Sequence, residues 1–275
     1  MYQALYRKWR PKVFSDVIGQ EHITETLKKQ VAEGRTSHAY LFTGTRGTGK
    51  TTCAKILAKA VNCEHPVNGD PCCQCPSCLG LESGSFLDVL ELDAASNNGV
   101  DQVRALRDEA IYAPANVKKR VYIVDEVHML STAAFNALLK ILEEPPAHLM
   151  FILATTELHK VPATILSRCQ RYSFKRILPR DIAQRLTYVA GQEHIDLTAD
   201  GAELLSRLAD GALRDGLSLL DQCAAAGGTV DSRAVLEVLG LAGNLQTAQL
   251  MRHILDRNAQ AALLLLNELY AGGKD

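Results

Sequence analysis

The sequence lacks a long hydrophobic run, a large excess of either charge, an internal repeat and any low-complexity tract. No stretch reaches the about eighteen consecutive apolar residues that are typical of a membrane-spanning helix. The N-terminal sequence MYQALYRKWRPK carries charges and a tryptophan where a secretory signal peptide needs an apolar stretch. With 30 basic and 31 acidic residues, the formal net charge of −1 provides no global field that attracts nucleic acid. We therefore expect a cytoplasmic globular protein without a membrane partner, in which any contact with DNA depends on a local patch.

The length of 275 residues and the 47% of hydrophobic residues suffice for one large domain or two ordinary domains. Apolar strand-like runs alternate with helical patterns to about residue 176, which predicts a three-layer α/β domain with a parallel sheet. After Pro179 the pattern is helical throughout and is interrupted by glycines. We therefore predict a nucleotide-binding domain over 1–178 and a small all-helical domain over 179–242.

Residues Gly44 to Thr51 read GTRGTGKT, a complete phosphate-binding loop. Its glycines let backbone amides converge on a di- or triphosphate, while Lys50 reaches the outer phosphates and the Thr51 hydroxyl ligates magnesium. An apolar run over 39–42 and helical spacing over 52–61 supply the strand and the helix that this motif requires. The predicted nucleotide contacts of the loop are Gly44, Thr45, Arg46, Gly47, Thr48, Gly49, Lys50, Thr51 and Thr52.

Four of the eight cysteines follow this helix with the spacing C-x8-C-x2-C-x2-C, at Cys63, Cys72, Cys75 and Cys78. We expect no disulfides, because a magnesium-nucleotide loop belongs where thiols stay reduced. Overlapping C-x2-C steps favour chelation of one tetrahedral ion, so we predict a structural zinc knuckle inserted over 62–80. Four thiolate ligands leave no open coordination position, so this metal is not expected to be catalytic.

Two alternatives for the metal site stay open. An iron–sulfur cluster also uses C-x2-C-x2-C, although Glu82 stands where the bacterial ferredoxin pattern places its fourth cysteine. Cys73 could replace its neighbour Cys72 as a ligand, which would give spacings of nine and one residues.

A second chemical signal is the apolar strand Val121–Val124, which ends in Asp125 and Glu126. In a parallel α/β sheet such a strand delivers both carboxylates beside the phosphate loop. Asp125 would then share the magnesium with Thr51, and Glu126 would orient and deprotonate the attacking water. A further predicted strand over 150–154 ends in two threonines, whose hydroxyls are candidates for a contact with the γ-phosphate.

The assembled pattern resembles the clamp-loader ATPases of the AAA+ class, specifically the bacterial gamma/tau family. The resemblance covers residues from about Tyr2 to at least Gly240 and rests on separate motifs that agree. Besides the phosphate loop and the cysteines, these are YRKWRP (6–11), FSDVIGQEH (14–22), LDAAS (92–96), DEVHMLS (125–131), FNALLKILEEPP (135–146), LATTE (153–157), ILSRCQ (165–170) and ALRDGLSLLDQ (212–222).

The resemblance implies roles for individual residues that their types alone do not reveal. Thr156, in preference to Thr155, matches the sensor at the tip of the fourth strand. Arg168 matches the arginine finger that reaches into the ATP site of a neighbouring subunit, and Arg214 matches the second sensor in a helical lid above the nucleotide. Arg104 occupies a place where the family contacts the DNA backbone. The adenine pocket would be lined by Arg10, Pro11, Val17 and Ile18, and the catalytic set would be Lys50, Asp125, Glu126, Thr156, Arg168 and Arg214.

The function implied by the resemblance is that of an ATP-driven motor subunit of the replicative DNA polymerase III holoenzyme. Such subunits form a five-membered ring, bind ATP to hold a sliding clamp open around primed DNA, and hydrolyse ATP to release it. Contacts with DNA would be sequence-neutral, and the polymerase would be bound through regions absent from this chain, which has no polymerase site of its own. Family members continue into a helical collar, of which 243–275 would be the truncated start. ATP and zinc binding do not depend on that collar, whereas stable ring assembly does.

Three other functions remain alternatives. One is a different AAA+ DNA-remodelling ATPase, of the Holliday-junction or helicase-loader type, which would not need the cysteine insert or the Ser-Arg-Cys motif. Another is a P-loop kinase, which would not need Glu126 or Arg214. A third is a non-hydrolysing structural subunit, which would have no use for Lys50 and Asp125.

Overall fold

The computed structural model describes residues 2–241 and 244–272, which form two compact units. The first unit comprises residues 10–177, and the second comprises residues 2–9 together with the described residues from 178 onward. Among the described residues, the α-helices are α1 (Leu5–Lys8), α2 (Glu21–Ala32), α3 (Lys50–Asn62), α4 (Pro76–Ser83), α5 (Val100–Ala110), α6 (Thr132–Glu143), α7 (Ala163–Leu166), α8 (Pro179–Gln192), α9 (Ala199–Leu208), α10 (Leu213–Ala225), α11 (Ser232–Val238), α12 (Asn244–Leu255) and α13 (Ala259–Ala271).

The first unit is built on a five-stranded sheet with the order β2-β3-β4-β1-β5. Every pair of neighbouring strands is parallel, which confirms the predicted α/β class. Because the strands are parallel, their carboxyl ends lie at one edge, where Thr43 pairs with Thr155 and Asp93 pairs with Asp125. The strands are β1 (Ala39–Thr43), β2 (Val89–Asp93), β3 (Arg120–Asp125), β4 (Leu149–Thr155) and β5 (Gln170–Ser173).

Helices cover both faces of the sheet, as the continuous apolar strands require. In β1, Tyr40 and Phe42 point into a core shared with α2 and α3, whereas Leu41 points into a core shared with α5 and α6. In β4, Phe151 and Ile152 divide between the two cores in the same way. This alternation with period two produces the predicted three-layer arrangement.

Local signals set the ends of α6, which follows the strand with the two carboxylates. The Ser131 hydroxyl accepts a hydrogen bond from the Ala134 amide at 3.2 Å and caps the first turn. The helix ends at Glu143, shortly before Pro145 and Pro146, which cannot continue it.

All the elements described in the second unit are helices, as predicted, and the unit also takes in the N-terminal segment. The Leu5 amide donates to Asp221 Oδ2 at 3.3 Å, and the Trp9 indole donates to Glu193 Oε1 at 2.7 Å. Trp9 also packs edge-on against Tyr188, with ring centroids 5.8 Å apart. The contacts therefore assign residues 2–9 to the helical unit, which corrects this end of the predicted 1–178 domain. The predicted boundary between 179–242 and 243–275 lies outside the described residues.

None of the helices in the described part of the chain is long and apolar enough to cross a membrane. The cytoplasmic location expected from the sequence stays a prediction.

Candidate functional site

The phosphate-binding loop lies between β1 and α3, as predicted, and its backbone conformation requires glycine. Gly44 has φ 140°, and a Cβ there would lie 2.5 Å from the carbonyl oxygen of Phe174. Gly49 has φ 106° and caps α3 without a side-chain hydrogen bond to the first turn. The free amides at this helix start and the positive end of its dipole form a ready anion site.

Lys50 is buried at the first turn of α3, where its ammonium lies beneath the loop. Its Nζ donates to the carbonyl oxygens of Gly44 at 2.8 Å and Thr45 at 2.9 Å. Burial lowers the pKa of Lys50, and the carboxylates of Glu126 and Asp125 oppose this shift. The buried Thr48 hydroxyl donates to the Thr45 carbonyl at 2.8 Å, while Thr45 and Arg46 themselves are exposed. The backbone of the loop thus curves around the ammonium of Lys50.

Thr51 and Asp125 meet although 74 residues separate them in the sequence. The Thr51 hydroxyl donates to Asp125 Oδ2 at 2.7 Å. Hard oxygen ligands of this kind are the ones that suit magnesium, so this pair fits a magnesium ion shared with the phosphates.

Glu126 follows directly and has a left-handed backbone, with φ 47°. Its amide donates to Asp125 Oδ1 at 2.9 Å. Its carboxylate Oε2 accepts from the Thr156 hydroxyl at 2.9 Å and from the Thr156 amide at 3.3 Å. The neighbouring Thr155 is fully buried and its hydroxyl contacts His128 instead, at 2.9 Å. Of Thr155, the last residue of β4, and Thr156, which follows it, only Thr156 makes a described hydrogen bond with the carboxylate of Glu126.

Two side chains that sequence reasoning missed complete this site. His128 Nδ1 lies 3.4 Å from Glu126 Oε2, and its Nε2 lies 3.3 Å from Glu157 Oε1. The fully buried Gln20 donates to the carbonyl of Lys175 at 2.7 Å and to that of Thr48, in the phosphate loop, at 3.4 Å. Both residues lie inside motifs that the sequence displays, DEVHMLS and FSDVIGQEH, and this was the available signal.

The segment predicted to line the adenine pocket wraps around the start of α3. Arg10 Nε donates to the Thr52 hydroxyl at 3.2 Å. Val17 is buried, and its Cγ1 lies 3.9 Å from the position that a Cβ of Gly49 would occupy. Pro11 and Ile18, in the same segment, are partly exposed.

The three arginines that the resemblance singles out have ordinary local partners. Arg168 follows α7; its Nη2 pairs with Glu143 at 2.7 Å, and its Nη1 donates to the Thr164 carbonyl at 2.8 Å. In the second unit, the Arg214 guanidinium lies 4.9 Å from the ring centroid of Tyr6. Arg104 is exposed and pairs with Asp101, one turn earlier in α5, at 3.4 Å. Their proposed roles therefore depend on molecules beyond this chain and stay predictions.

The four predicted cysteines converge on one point. The Sγ atoms of Cys63, Cys72, Cys75 and Cys78 all lie within 4.8 Å of one another, and two of the pairs are 4.0 Å apart. A zinc ion with Zn–S bonds of about 2.3 Å requires sulfur atoms about 3.8 Å apart at the corners of a tetrahedron. The four sulfurs therefore fit a single tetrahedral ion.

Backbone amides within the insert donate to sulfur atoms of this centre. The Cys72 amide donates to Cys63 Sγ at 3.3 Å, and the Cys75 amide donates to Cys72 Sγ at 3.3 Å. Hydrogen bonds from the amides of Gln74 and Cys75 lower the pKa of Cys72 to about 6. Cys73 has a left-handed backbone with φ 56°, and its Sγ lies near Lys59 Nζ at 3.9 Å. The cluster thus contains Cys72 and not Cys73, which resolves that alternative.

Comparisons with known proteins show the family of this chain. The family model described as "DNA polymerase III, delta subunit" matches residues 19–177, and "DNA polymerase III clamp loader subunit, ATPase lid domain" matches residues 181–229. The gamma subunit of DNA polymerase III from Buchnera aphidicola is 42% identical over 273 residues, which are 99% of this chain and 76% of the relative. The chain belongs to the DNA polymerase III gamma/tau family.

Other gamma/tau relatives are longer. The tau subunit from Bacillus subtilis is 52% identical over all 275 residues, and the one from Escherichia coli is 46% identical over 273 residues, 99% of this chain. These matches cover 49% and 42% of the two relatives, so the chain spans about half of their length.

A solved structure shares the fold of this chain. RuvB from Thermotoga maritima, described as a Holliday junction branch migration motor, gives a TM-score of 0.64 at 19% identity. The match covers 93% of this chain and 85% of RuvB. At this identity the likeness concerns the fold alone.

Proposed function

We propose that this chain is the ATP-hydrolysing motor region of a clamp-loader subunit in the replicative DNA polymerase III holoenzyme. The observation that carries the proposal is the meeting of Lys50, Thr51, Asp125 and Glu126 at one edge of the sheet, in a chain of the gamma/tau family. A purely structural subunit would have no use for this set. A small-molecule kinase would not need Glu126 held by Thr156.

In the proposed reaction the backbone amides of the loop bind the phosphates of ATP, and Lys50 stabilises charge on the outer phosphates. Thr51 and Asp125 would hold magnesium, which would supply positive charge against the phosphates of ATP. Glu126 acts as the general base for the attacking water. Thr156, as the sensor, fixes the direction of the Glu126 carboxylate with two hydrogen bonds.

The site is completed by arginines. We assign Arg168 as a finger that reaches the ATP of a neighbouring subunit, and Arg214 as the lid sensor that contacts nucleotide bound to its own chain. A finger supplied in trans contributes about 10³ to 10⁵ in rate, so hydrolysis would depend on assembly. Arg168 lies after α7 and is partly exposed, which is compatible with such a contact.

The proposed partners are the other clamp-loader subunits in a five-membered ring, the sliding clamp and primed DNA. Arg104, exposed on α5, is a candidate for sequence-neutral contact with the DNA backbone, and such contact would weaken with salt. The polymerase would be bound by regions outside this chain. The proposed location of the protein is the cytoplasm. Arg10, Pro11, Val17 and Ile18 would line the adenine pocket.

We propose zinc as the ion of the four-cysteine cluster. The sulfur spacing fits one tetrahedral ion, and four thiolates leave no position for a substrate. The ion would therefore stabilise the insert and take no part in hydrolysis. An iron–sulfur cluster is the alternative that metal analysis must exclude.

A Holliday-junction motor is the other AAA+ function that the fold alone would allow. The 52% identity to a tau subunit, against 19% to RuvB, favours clamp loading.

The test is clamp loading onto primed circular DNA by a reconstituted complex that contains the full-length protein. We expect ATP-dependent loading of the clamp by the wild-type complex and no loading by the Lys50→Ala complex. Loading that persists with Lys50→Ala, or translocation along DNA without a clamp, would contradict the proposal.

A further inference from the structure

The cysteine insert touches more of the chain than its own helix α4. The loop over 64–71 joins the first two metal ligands, and at its tip Val67 and Asp70 exchange two backbone hydrogen bonds of 2.9 Å. Between them, Asn68 and Gly69 have φ values of 51° and 85°, which makes a tight hairpin turn. A Cβ at Gly69 would lie 2.1 Å from the carbonyl oxygen of Lys28. The tip therefore lies directly on the backbone of α2.

Asp70, at this tip, holds the segment that precedes α2. Its Oδ1 accepts from the Phe14 amide at 2.6 Å, and its Oδ2 accepts from the Ser15 hydroxyl at 2.6 Å. Lys28 lies 3.7 Å from Oδ2 and also donates to the Ser15 hydroxyl at 3.3 Å. Only 13% of the Asp70 side chain is exposed. Hydrogen bonds that end on a largely buried carboxylate are among the stronger ones in proteins.

A second contact joins the insert to the same segment. Glu82, on α4, pairs with Lys12 at 2.6 Å and with Lys59, on α3, at 3.2 Å. The Cys73 thiol lies 3.8 Å from the Lys12 carbonyl. Residues 12–15 are thus held both by the loop tip with Asp70 and by Glu82 on α4.

The same stretch of chain contacts the phosphate loop on its other side. Arg10 reaches Thr52, Val17 lies against Gly49, and Gln20 donates to the Thr48 carbonyl. A stretch of about ten residues therefore has the metal-binding insert on one side and the nucleotide site on the other.

We infer that Asp70 is a positioning residue, through which the metal-bound cysteine insert fixes residues 14–18 against the phosphate loop for recognition of the adenosine part of ATP. The inference rests on the proposed function, in which this segment lines the adenine pocket. Without the carboxylate, the Phe14 amide loses its partner and the segment must be ordered by the nucleotide itself, which weakens binding. Loss of the metal acts through the same contact, since Cys63 and Cys72 close the loop that carries Asp70.

The experiment compares the wild type with Asp70→Ala, Asp70→Asn and a matched control, Glu25→Gln. Glu25 is the other carboxylate beside Lys28, at 3.4 Å, and has no bond to residues 14 or 15 in the described contacts. For each protein, with metal and after chelation, the Kd is measured for MgATP and for magnesium tripolyphosphate, which has no adenosine. Amide hydrogen exchange over 13–18 and zinc content are measured on the same samples.

With metal bound, we expect Asp70→Ala to weaken MgATP about tenfold, the size of one lost hydrogen bond to a charged group. Tripolyphosphate binding stays unchanged, zinc content stays unchanged, and exchange over 13–18 becomes faster. Asp70→Asn, which keeps one acceptor, lies between Asp70→Ala and the wild type, and Glu25→Gln matches the wild type. Chelation weakens MgATP in the wild type but adds little in Asp70→Ala.

Equal affinities for MgATP in the wild type and Asp70→Ala would overturn the inference, and so would an equal loss for both probes. If Asp70→Ala does not fold, the Asp70→Asn result decides in the same way. A wild type that binds neither probe contradicts the proposed function, and the exchange rates over 13–18 then still show whether Asp70 holds the segment.

Discussion

At the scale of single residues, the phosphate loop is organised around the ammonium of Lys50. The group is buried, and burial lowers its pKa, yet two loop carbonyls and the carboxylates of Asp125 and Glu126 keep it in a polar setting. Because its side chain is already held in one orientation, Lys50 loses little conformational entropy when phosphates bind. Its contribution should therefore appear almost entirely in nucleotide affinity.

We predict that Lys50→Ala raises the Kd for MgATP by about 100-fold or more, which corresponds to the loss of about 2.7 kcal/mol from charge-assisted hydrogen bonds. Isothermal titration calorimetry measures this directly, with circular dichroism to show that the fold is kept. Lys55→Ala is the matched control, because Lys55 is on the same helix but is exposed and pairs with Glu91. An unchanged Kd for Lys50→Ala would show that the loop does not bind the phosphates.

Glu126 should affect chemistry and not binding. We predict that Glu126→Gln lowers the rate of hydrolysis by about 10²- to 10⁴-fold, the usual contribution of a general base, with a MgATP affinity close to that of the wild type. Single-turnover hydrolysis in the assembled complex separates the two effects.

Thr156→Val should slow the same step by a smaller factor, because the Glu126 carboxylate loses one of its two hydrogen bonds to this residue. Thr155→Val, whose hydroxyl contacts His128, provides the comparison. A larger effect at Thr155 than at Thr156 would show that Thr155, and not Thr156, is the sensor.

At the scale of elements, we expect the cysteine insert to depend on a bound ion, because the buried cluster described there consists of the cysteines themselves. We predict about one zinc per chain by metal analysis, as a closed four-thiolate site requires. Cys75→Ser should lose the metal and make residues 63–83 sensitive to protease, whereas the parallel sheet stays folded. Cys73→Ser is the control and should keep the zinc. Iron with a visible absorption band would contradict the zinc assignment.

The sequence predicted β1, β3 and β4 to within a few residues, since a run such as Val121–Val124 can satisfy its apolar side chains only inside a covered sheet. The helix after the phosphate loop was predicted for an equally local reason, the spacing of its apolar residues. The helices α2 and α4 were not predicted. The helix α4 is short, lies inside the metal insert and begins at Pro76, so cysteine spacing obscured its pattern.

Contacts between distant parts of the chain could not be predicted. Trp9 and Glu193 are separated by 184 residues, and only the fold shows that the first helix belongs with the second unit. The same holds for His128 beside Thr155, and for Asp70, whose carboxylate accepts a hydrogen bond from the Phe14 amide. The roles of these side chains depend on where the fold places them, and a single sequence does not reveal that placement.

At the scale of the whole molecule, the proposed ATP site is shared between subunits. One chain supplies the loop, the magnesium ligands and the general base, and the proposed finger Arg168 lies after α7 with partners Glu143 and Thr164. A site divided in this way makes ATP hydrolysis report on assembly, because transition-state charge stays uncompensated in a single chain.

We predict that Arg168→Ala binds MgATP like the wild type but loses the hydrolysis that the clamp and primed DNA stimulate. Arg171→Ala, a change of an exposed arginine three residues later, should leave the stimulated rate unchanged. Binding is measured by calorimetry and turnover by phosphate release in the reconstituted complex. A loss of binding as large as that of Lys50→Ala would show that Arg168 acts in the site of its own chain.

The most direct test of the shared site is the ATP turnover of the full-length wild-type protein, measured alone and then with the other loader subunits, the clamp and primed DNA. We predict a rate that is low for the single subunit and rises about 10³-fold or more on assembly, the contribution of an arginine finger supplied in trans. A high rate from the isolated subunit, unchanged by its partners, would contradict the shared site.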